Sequence, residues 1–582
     1  MSAIEIRGLH LGGDPRPRLK GIDLELGSGE LVVLIGPNGA GKSSLIHALT
    51  GAVRADGGAI HVGDTSLVQL DRAQRAERIA WLPQQARIEE GLTAVEVVAA
   101  ARFRHREPWR VALESARDHL ARLGAQAWAD RRMTTLSGGE AQRVRLASLS
   151  AQEADWWLLD EPGNHLDPAV RLMVYEAVGT RVRQGGGVVL VTHDIAALAH
   201  LPQARVVGLC EGEVRFDRPA ADPLLPEALG ELLGLELETS GPAIVVRGRR
   251  TKPASDEPSA SSTPARPPSS LRGIAAVIGL SLLGALAAPW IGLSLDAETG
   301  PFVLLELRFP RALLGAVIGG TLALTGAAFQ AVLENPLATP STIGTTAGAS
   351  LGALAVLVLL PAAAVGSTTV ALGAFAGALF VSLAIASLAT LRRFRTEELL
   401  LAGIAISLGA GAAITGLQLQ ADASATLASV RWSLGSLSIV GYERLFAVLP
   451  FAAIGGIAVL AQTGSLHSMV AGSERARTQG VDVVRTRTLV LGAGSLAVAG
   501  CVAVAGPIAF IGLVVPHLVR LFVGGGPRRL LWLSLIAGAG FLPLADGLAR
   551  VAWPGRELPV GVLTAALGAP TLLALLWRRR PR

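Results

Sequence analysis

"LVVLIGPNGAGKSSLIHALTG", residues 31–51, decides how the first half of this chain folds. Leu31, Val32, Val33, Leu34 and Ile35 form a short, wholly apolar run bounded by glycine, which predicts a strand buried on both faces. The turn that follows (Gly36, Pro37, Asn38, Gly39, Ala40, Gly41, Lys42, Ser43, Ser44) fits G-x-x-x-x-G-K-[ST] between a strand and a helix. Glycines let the backbone turn tightly, so that its N–H groups face phosphate oxygens, and the helix N-terminus adds positive potential. Lys42 is placed to contact β- and γ-phosphates and Ser43 to ligate Mg²⁺, so ATP and Mg²⁺ are the expected cofactors.

Further along, "WWLLDEP" (156–162) is a second buried strand ending in two acids. At a strand end beside a phosphate loop, Asp160 can hold Mg²⁺ and Glu161 can orient and deprotonate the attacking water. Alone, such a pair is equally a helix N-cap after a strand; the upstream loop favours the catalytic reading. Short apolar strands alternating with helical segments predict an α/β P-loop NTPase with a largely parallel sheet. "LSGGEAQRVRLA" (136–147) opens another helix with Ser137, Gly138, Gly139 and Glu140, a second anion cradle on a domain that already has one. A second cradle makes sense if it caps nucleotide held by another copy.

Composition divides the chain. Residues 1–270 carry a net charge of −3; residues 271–582 contain 21 Arg, no Lys and 12 acids. The basic excess lies in the apolar half, where it reports membrane topology rather than nucleic acid. Between the halves, "TKPASDEPSASSTPARPPSS" (251–270) has no large apolar residue and reads as a flexible tether. The expected domains are 1–240, a linker 241–270, and 271–582. Two cysteines, Cys210 and Cys501, one per half, exclude a disulfide framework. The first residues hold no apolar stretch long enough for a signal peptide, so the first half is expected in the cytoplasm. Arg102, Arg104, His105 and Arg106 read as a solvated face of a helical subdomain.

From residue 271 long Ala/Gly/Leu/Val stretches give about ten candidate spans of the ~20 residues a bilayer needs. They lie near 273–293, 312–332, 343–361, 367–390, 399–419, 445–463, 488–504, 508–523, 530–548 and 559–577. The seventh and eighth are separated only by "AGP", so one of them could be re-entrant. Starting inside, the inner gaps and the tail hold Arg392, Arg393, Arg395, Arg475, Arg477, Arg485, Arg487, Arg528, Arg529, Arg578, Arg579, Arg580 and Arg582. The outer gaps hold Arg308, Arg311, Arg431, Arg444, Arg550 and Arg556. This bias puts both ends of an all-α polytopic domain inside. Pro336, Pro507 and Pro516 are placed to break or bend helices. "SERARTQ" (473–479) can form a short helix capped by Ser473. His517, at a helix end, is better read as structural than as a metal ligand.

In order and spacing, the first-half motifs resemble those of ABC-transporter ATPases over roughly residues 1–235. The resemblance implies that Gln84 in "WLPQQ" senses Mg²⁺ and the membrane domain. It also makes Asp167 in "NHLDP" the D-loop acid and His193 in "VTHD" the switch histidine on the γ-phosphate. This chain departs from the family at Gly163, where Thr is frequent, and near the N-terminus, where no aromatic residue is present to stack on adenine. Adenine is then expected against Leu11 or His10, with weaker base selectivity and partial use of GTP. In the second half, "LRFPRALLGAVIGGTLALTGAAFQAVLENPLATPSTIGTTAGASLGAL" (307–354), "AVAGPIAFIGLVVPHLVRLFVGGGPRRLL" (503–531) and "ADGLARVAWPGRELPVGVLTAALGAP" (545–570) are similar to FecCD-family permeases. That resemblance implies ten helices in a bilayer and a dimer of two chains. It implies import of ferric siderophore, then haem or cobalamin, with an external binding protein. It makes Ser473, Glu474, Arg475, Ala476, Arg477 and Gly480 a coupling loop on the ATPase, and Arg308, Arg311 and Arg550 docking residues for glutamates of the binding protein. With one phosphate loop and one signature motif, two copies are needed to enclose two ATP molecules. The alternative, an ATPase-first half-exporter of a hydrophobic substrate, typically has about six spans, fewer than the windows counted here.

Overall fold

The computed structural model describes residues 2–12, 18–84, 91–164, 166–240, 243–249, 270–292, 300–360, 366–391, 396–438, 441–470, 472–523, 526–553 and 557–578. The tether at 251–269, Arg392, Arg393, Arg395, Arg556, Arg579, Arg580 and Arg582 lie outside the described residues. The chain forms two compact units, Met1–Ala265 with Ala471–Val483, and Arg266–Val470 with Val484–Arg582.

In chain order, the first unit runs β1 (Ile4–Leu11), β2 (Leu19–Leu26), β3 (Leu31–Ile35), α1 (Lys42–Leu49), β4 (Gly57–Val62), β5 (Thr65–Ser66), α2 (Arg72–Arg78) and β6 (Ile79–Leu82). It continues with α3 (Ala94–Ala100), α4 (Trp109–Arg122), α5 (Gly138–Ala151), β7 (Trp156–Asp160), α6 (Pro168–Arg183), β8 (Gly187–Val191) and α7 (Ala197–His200). It ends in β9 (Arg205–Cys210), β10 (Glu213–Pro219), α8 (Leu225–Leu233) and a hairpin of β11 (Leu235–Ser240) and β12 (Ala243–Arg249). The hairpin carries regular structure nine residues past the expected domain end at 240.

The main sheet has the order β10-β9-β3-β8-β7-β6, parallel except for the edge strand β10, and β2-β1-β4-β5 forms an antiparallel sheet. The period of two in β3 explains why it has no polar face. Val32 and Leu34 enter the core shared with the antiparallel sheet and α1. Leu31, Val33 and Ile35 enter the core on the other side, with α5, α6 and α8. Parallel pairing sets the strand ends side by side, so the turns after β3, β7 and β8 meet at one edge.

The helix starts follow local chemistry. Asp71 with Gln74, Thr93 with Glu96 and Ser137 with Glu140 form capping boxes at α2, α3 and α5. Asp167 caps α6 with Pro168 at its first position. Arg102 and Arg104 do not form the solvated face expected of them. Arg102 is buried, donates to Glu107 at 2.6 Å and Glu153 at 2.9 Å, and reaches the Ala151 carbonyl. Arg104 donates to the Gln152 carbonyl at 2.8 Å and the Glu153 carbonyl at 3.2 Å. Both guanidinium groups satisfy orphan carbonyls at the end of α5, where a cation is favoured by the helix dipole. Arg106 remains exposed.

The second unit contains α9 (Ser270–Ala287), α10 (Gly300–Phe302), a π-helical turn (Val303–Arg308), α11 (Phe309–Val332), α12 (Thr345–Leu359), α13 (Ser367–Leu391) and α14 (Thr396–Gln418). Then come α15 (Ala423–Ser433), α16 (Glu443–Ala461) and α17 (Thr463–Met469). After α18 (Ser473–Thr478), which belongs to the first unit, follow α19 (Val483–Ala505), α20 (Ile511–Val523), α21 (Pro527–Val551) and α22 (Val560–Arg578). Each of the expected spans has a helix, and seven are long and apolar enough to cross a bilayer. Three are shorter apolar helices among the described residues, Thr345–Leu359, Ile511–Val523 and Val560–Thr571. At 1.5 Å per residue α20 is about 20 Å long, short of a ~30 Å hydrocarbon core, in keeping with a partial span after "AGP". Pro507 lies in the break before it and Pro516 inside it.

Glycine sets the packing of these helices. A Cβ on Gly319 of α11 would stand 2.3 Å from the Gly538 carbonyl oxygen of α21, and one on Gly377 of α13 2.1 Å from that of Gly348 of α12. Such backbone approach supplies van der Waals contact where the hydrophobic effect gives no preference between helix and lipid. Exposed Phe380, Leu408 and Ile457 form the kind of surface hydrocarbon covers.

Candidate nucleotide site and its surroundings

The turn at 36–44 leaves β3 and enters α1 at Gly41, whose φ of 102° only glycine adopts readily. A Cβ on Gly36 would lie 2.1 Å from the Leu209 carbonyl oxygen, which also requires glycine there. Lys42 is buried, and its Nζ donates to the carbonyls of Gly36 at 2.6 Å and Pro37 at 3.0 Å. Burial pushes this ammonium below the usual lysine range, against the pull of Glu161 and Asp160. An anionic phosphate beside it would favour the charged form.

Asp160, the last residue of β7, is buried, and burial pushes its carboxyl above the usual range while the Ser43 hydroxyl, hydrogen-bonded to it, pulls the other way. Ser43 and Asp160 thus converge as hard oxygen donors, which suits Mg²⁺. Glu161 follows at φ 50°, a left-handed conformation costly for a non-glycine residue and found at functional sites. Its side chain is 8% exposed and is held from three sides. Gln84 Nε2 donates to Oε2 at 2.6 Å, Asn164 Nδ2 donates to the same oxygen at 2.9 Å, and His193 Nε2 meets Oε1. These groups line a cavity of about 550 Å³ together with Asn38, Gly39, Ala40, Gly41, Lys42, Ser43, Ser44 and Arg18.

His193 is steadied from behind. Its neighbour Asp194 accepts from Arg171 Nη1 at 3.2 Å and from the Tyr175 hydroxyl at 3.1 Å, both on α6. Burial and Asp194 push the Tyr175 phenol up, so it stays a donor. Since Asp167 caps α6, Asp167 and the two residues that hold Asp194 belong to one helix. Asp167 itself accepts from the Val170 N–H at 3.0 Å.

Among the described residues, Ser137, Gly138, Gly139, Glu140 and Asp167 do not line this cavity. Ser137 and Gly138 are exposed at the start of α5, with Ser137 and Glu140 exchanging N–H bonds at 2.8 and 3.3 Å. The cradle at 137–140 is therefore not part of the cavity at the chain's own phosphate loop.

Three site residues escape a reading of the sequence. Asn164 holds Glu161; its signal is the three-residue spacing within "EPGN". Gln142 is buried and donates to the Pro162 carbonyl at 2.7 Å, fixing the turn that carries Glu161 from α5. Arg18 lines the cavity where adenine was expected on Leu11 or His10. Leu11 is 3% exposed and belongs to the core, because its position on β1 points inward, and the His10 ring lies against Gly21. A guanidinium plane can stack on a base by cation–π attraction worth about 0.5–2 kcal/mol. Arg18→Ala is expected to raise KM for ATP about two- to twentyfold with little change in kcat; steady-state ATPase assays with ATP and GTP check this, and an unchanged KM removes Arg18 from the base site.

The segment 472–482 folds with the first unit. Ser473 is not the cap of its helix: the position before α18 is Gly472, at φ 106° and ψ 142°, and Ser473 is the first helical residue. Arg475 and Ala476 are buried, Glu474 and Arg477 exposed, and a Cβ on Gly480 would sit 3.5 Å from Ala76. Arg475 Nη2 donates to the Ser148 hydroxyl at 2.6 Å, Gln152 Nε2 donates to the Thr478 carbonyl at 2.7 Å, and Arg72 pairs with Asp482.

In the second unit Arg308, Arg311 and Arg550 do come together, but each guanidinium is already bonded within the unit rather than free for docking. Arg311 is 9% exposed and forks onto Asp546 at 2.7 and 2.9 Å, with Glu557 at 2.9 Å. Arg550 donates to the Ala288 carbonyl at 2.6 Å and lies 3.9 Å from Asp546. They are internal ion-pair residues, since an uncompensated buried Asp546 would be costly. Arg308 donates to the carbonyls of Pro289, Ile291 and Gly292 and stays half-buried. His517 Nδ1 is 3.0 Å from the Leu513 carbonyl oxygen, within its own helix.

Comparison with known proteins agrees with both halves. Residues 274–578 match the FecCD transport family and residues 19–164 the ABC transporter family. The cobalamin import system permease protein BtuC of Halobacterium salinarum is 38% identical over 286 residues, 49% of this chain and 76% of that protein. The Fe(3+) dicitrate transport system permease protein FecD of Escherichia coli is 36% identical over 316 residues, 52% of this chain and 96% of that protein. A solved metal-chelate type ABC transporter in an inward-facing conformation overlaps with a TM-score of 0.49 at 26% identity, over 53% of this chain and 99% of that one. A phosphate loop facing the acids at the end of β7, on the same polypeptide as a helical unit matched over more than half of the chain, identifies the whole: the chain belongs to the FecCD transport family and carries an ABC transporter ATPase domain fused ahead of its permease.

Proposed function

We propose that two copies of this chain form an ATP-driven importer of a bulky metal chelate, working with an external binding protein. The observation that carries the two-copy reading is the separation of cradles: Lys42 and Glu161 line one cavity, while Ser137 and Gly138 stand exposed elsewhere on the same unit. One chain then supplies half of each ATP site. Backbone N–H groups of 38–44 and Lys42 bind and orient the phosphates, and Ser43 and Asp160 would hold Mg²⁺, with Gln84 alongside. Mg²⁺ held there would supply positive charge against that developing on the phosphates. Glu161 accepts the proton of the attacking water, and Gln84, Asn164 and His193 set the direction of its carboxylate.

The import direction rests on the permease half, whose relatives are named for cobalamin import and Fe(3+) dicitrate transport. Their common cargo is a large metal-centred chelate; ferric siderophore is ranked first, then haem and cobalamin. The Arg-rich gaps favour a multi-pass protein of the cytoplasmic membrane with the ATPase, the linker and both termini inside. Ser473, Glu474, Arg475, Ala476, Arg477 and Gly480 form the coupling element, and docking of a binding protein through Arg308 would require its guanidinium to exchange the carbonyls of Pro289, Ile291 and Gly292 for carboxylates. Proteoliposomes holding the full chain, given ATP inside and chelate-loaded binding proteins outside, test this reading. Uptake above the external concentration is expected for one chelate. Efflux, or uptake that only equilibrates, overturns import.

A further inference from the structure

The route from permease sequence to catalytic acid need not run through Gln84 alone. The helix α5 touches three functional elements along its length. Ser137 caps its start. One turn in, Gln142 donates from a buried position to the Pro162 carbonyl, next to Glu161. At its far end Ser148 and Gln152, 1% and 3% exposed, meet the helix Ser473–Thr478. From Gln142 to Gln152 is about 15 Å of continuous helix at 1.5 Å per residue.

The Gln152 contact has the form of a reader. Its Nε2 lies 3.0 Å from the Ala76 carbonyl oxygen, 2.9 Å from that of Ile79 and 2.7 Å from that of Thr478. An amide nitrogen has two hydrogens, so three acceptors share them. The shortest of the three is the one from the 473–478 segment. If Thr478 withdraws, both hydrogens settle on Ala76 and Ile79 and the end of α5 is held differently. Arg102 and Arg104 clamp the same end through the carbonyls of Ala151 and Gln152, so α5 is anchored where it is read. At the other end an unmade bond at Pro162 would strand a buried carbonyl, which ties the catalytic turn to α5.

We propose that α5 transmits the position of the 473–478 helix to Glu161, with Gln152 and Gln142 as positioning residues at its two ends. This rests on the reading of Glu161 as the base and of 473–478 as the coupling element. Coupling of this kind passes through rigid elements and hydrogen-bond networks and is demonstrated only by energetic coupling between its ends.

The test is a double-mutant cycle on the full chain in lipid nanodiscs, pairing Gln142→Ala with Arg475→Ala. ATP hydrolysis is followed at saturating ATP and normalised to nucleotide bound per chain. Each single variant is expected to lower kcat about three- to tenfold with KM for ATP unchanged, because neither side chain lines the nucleotide cavity. Their combination is expected to fall no further than the weaker single variant, and Gln152→Leu to behave like Arg475→Ala. Where alanine variants do not purify folded, Gln142→Glu and Arg475→Lys carry the same cycle. Multiplicative losses, or losses confined to KM, overturn the path while leaving the importer reading intact. A wild-type chain without ATPase activity overturns the reading beneath it and the path with it.

Discussion

Glu161→Gln leaves ATP bound and turnover lost by about 10²–10⁴-fold, the usual contribution of a positioned general base. The amide keeps the shape of the side chain and an oxygen able to accept from Gln84 and Asn164, so the turn after β7 has no reason to rearrange. It cannot take a proton from water. The phosphate-binding parts, Lys42 and the backbone of 38–44, lie on a different segment and are untouched. Nucleotide should therefore remain with the protein through gel filtration and be recovered as ATP rather than ADP. The measurement is phosphate release by the full chain alongside the ATP:ADP ratio of retained nucleotide. Hydrolysis within tenfold of wild type would move the base elsewhere; among the described residues His193 is next in place, since its Nε2 already meets the Glu161 carboxylate. Asn164→Ala should cost less than Glu161→Gln, because Gln84 still holds the same oxygen.

Arg311→Ala is the largest expected effect on stability. Asp546 is 3% exposed and receives two charge-assisted bonds from this guanidinium. Truncation leaves the carboxylate buried with, among the described residues, Arg550 as its remaining cation, at 3.9 Å. Removing one partner of a buried pair costs about 3–5 kcal/mol. Thermal unfolding of the detergent-solubilised chain should start several degrees lower, with α11, α21 and the segment before α22 no longer joined. Replacing both charges, Arg311→Met with Asp546→Leu, should recover most of the loss, since a buried pair is worth little relative to apolar residues of similar volume. Glu557→Gln should have a small effect, because that side chain is 58% exposed and its pair is screened. An Arg311→Ala protein that melts with wild type would show that the pair is not holding these elements.

The extent to which such sites were legible differs by range. The phosphate loop and the acids after β7 depend on residues within a few positions of one another, and they appear where local pattern places them. The helices of the second unit follow from hydropathy alone, for the same reason: a window of apolar residues carries its own instruction to be helical and out of water. Where local pattern was the only guide to a charged residue, it misled. Arg102 and Arg104 looked like a solvated run and are clamps on the end of α5, and Arg311 looked like a surface group and is buried against Asp546, 235 positions away. Ser473 looked like a cap, but Gly472 holds the cap position and Ser473 is the first helical residue. Leu11 looked like a base platform and is core.

By itself the sequence determined two machines on one chain and the strings of the phosphate loop and of the acids after β7, since each of these is written in short stretches whose geometry is local. The tertiary structure alone decided which side chains meet across long separations. It put Gln84, Asn164 and His193 on one carboxylate, seated 473–478 within the ATPase unit, and set Gln142 and Gln152 at the two ends of α5. A hydrogen bond is specified by where two backbones come to lie, and that position is set by the packing of whole strands and helices rather than by either residue's neighbours in the chain.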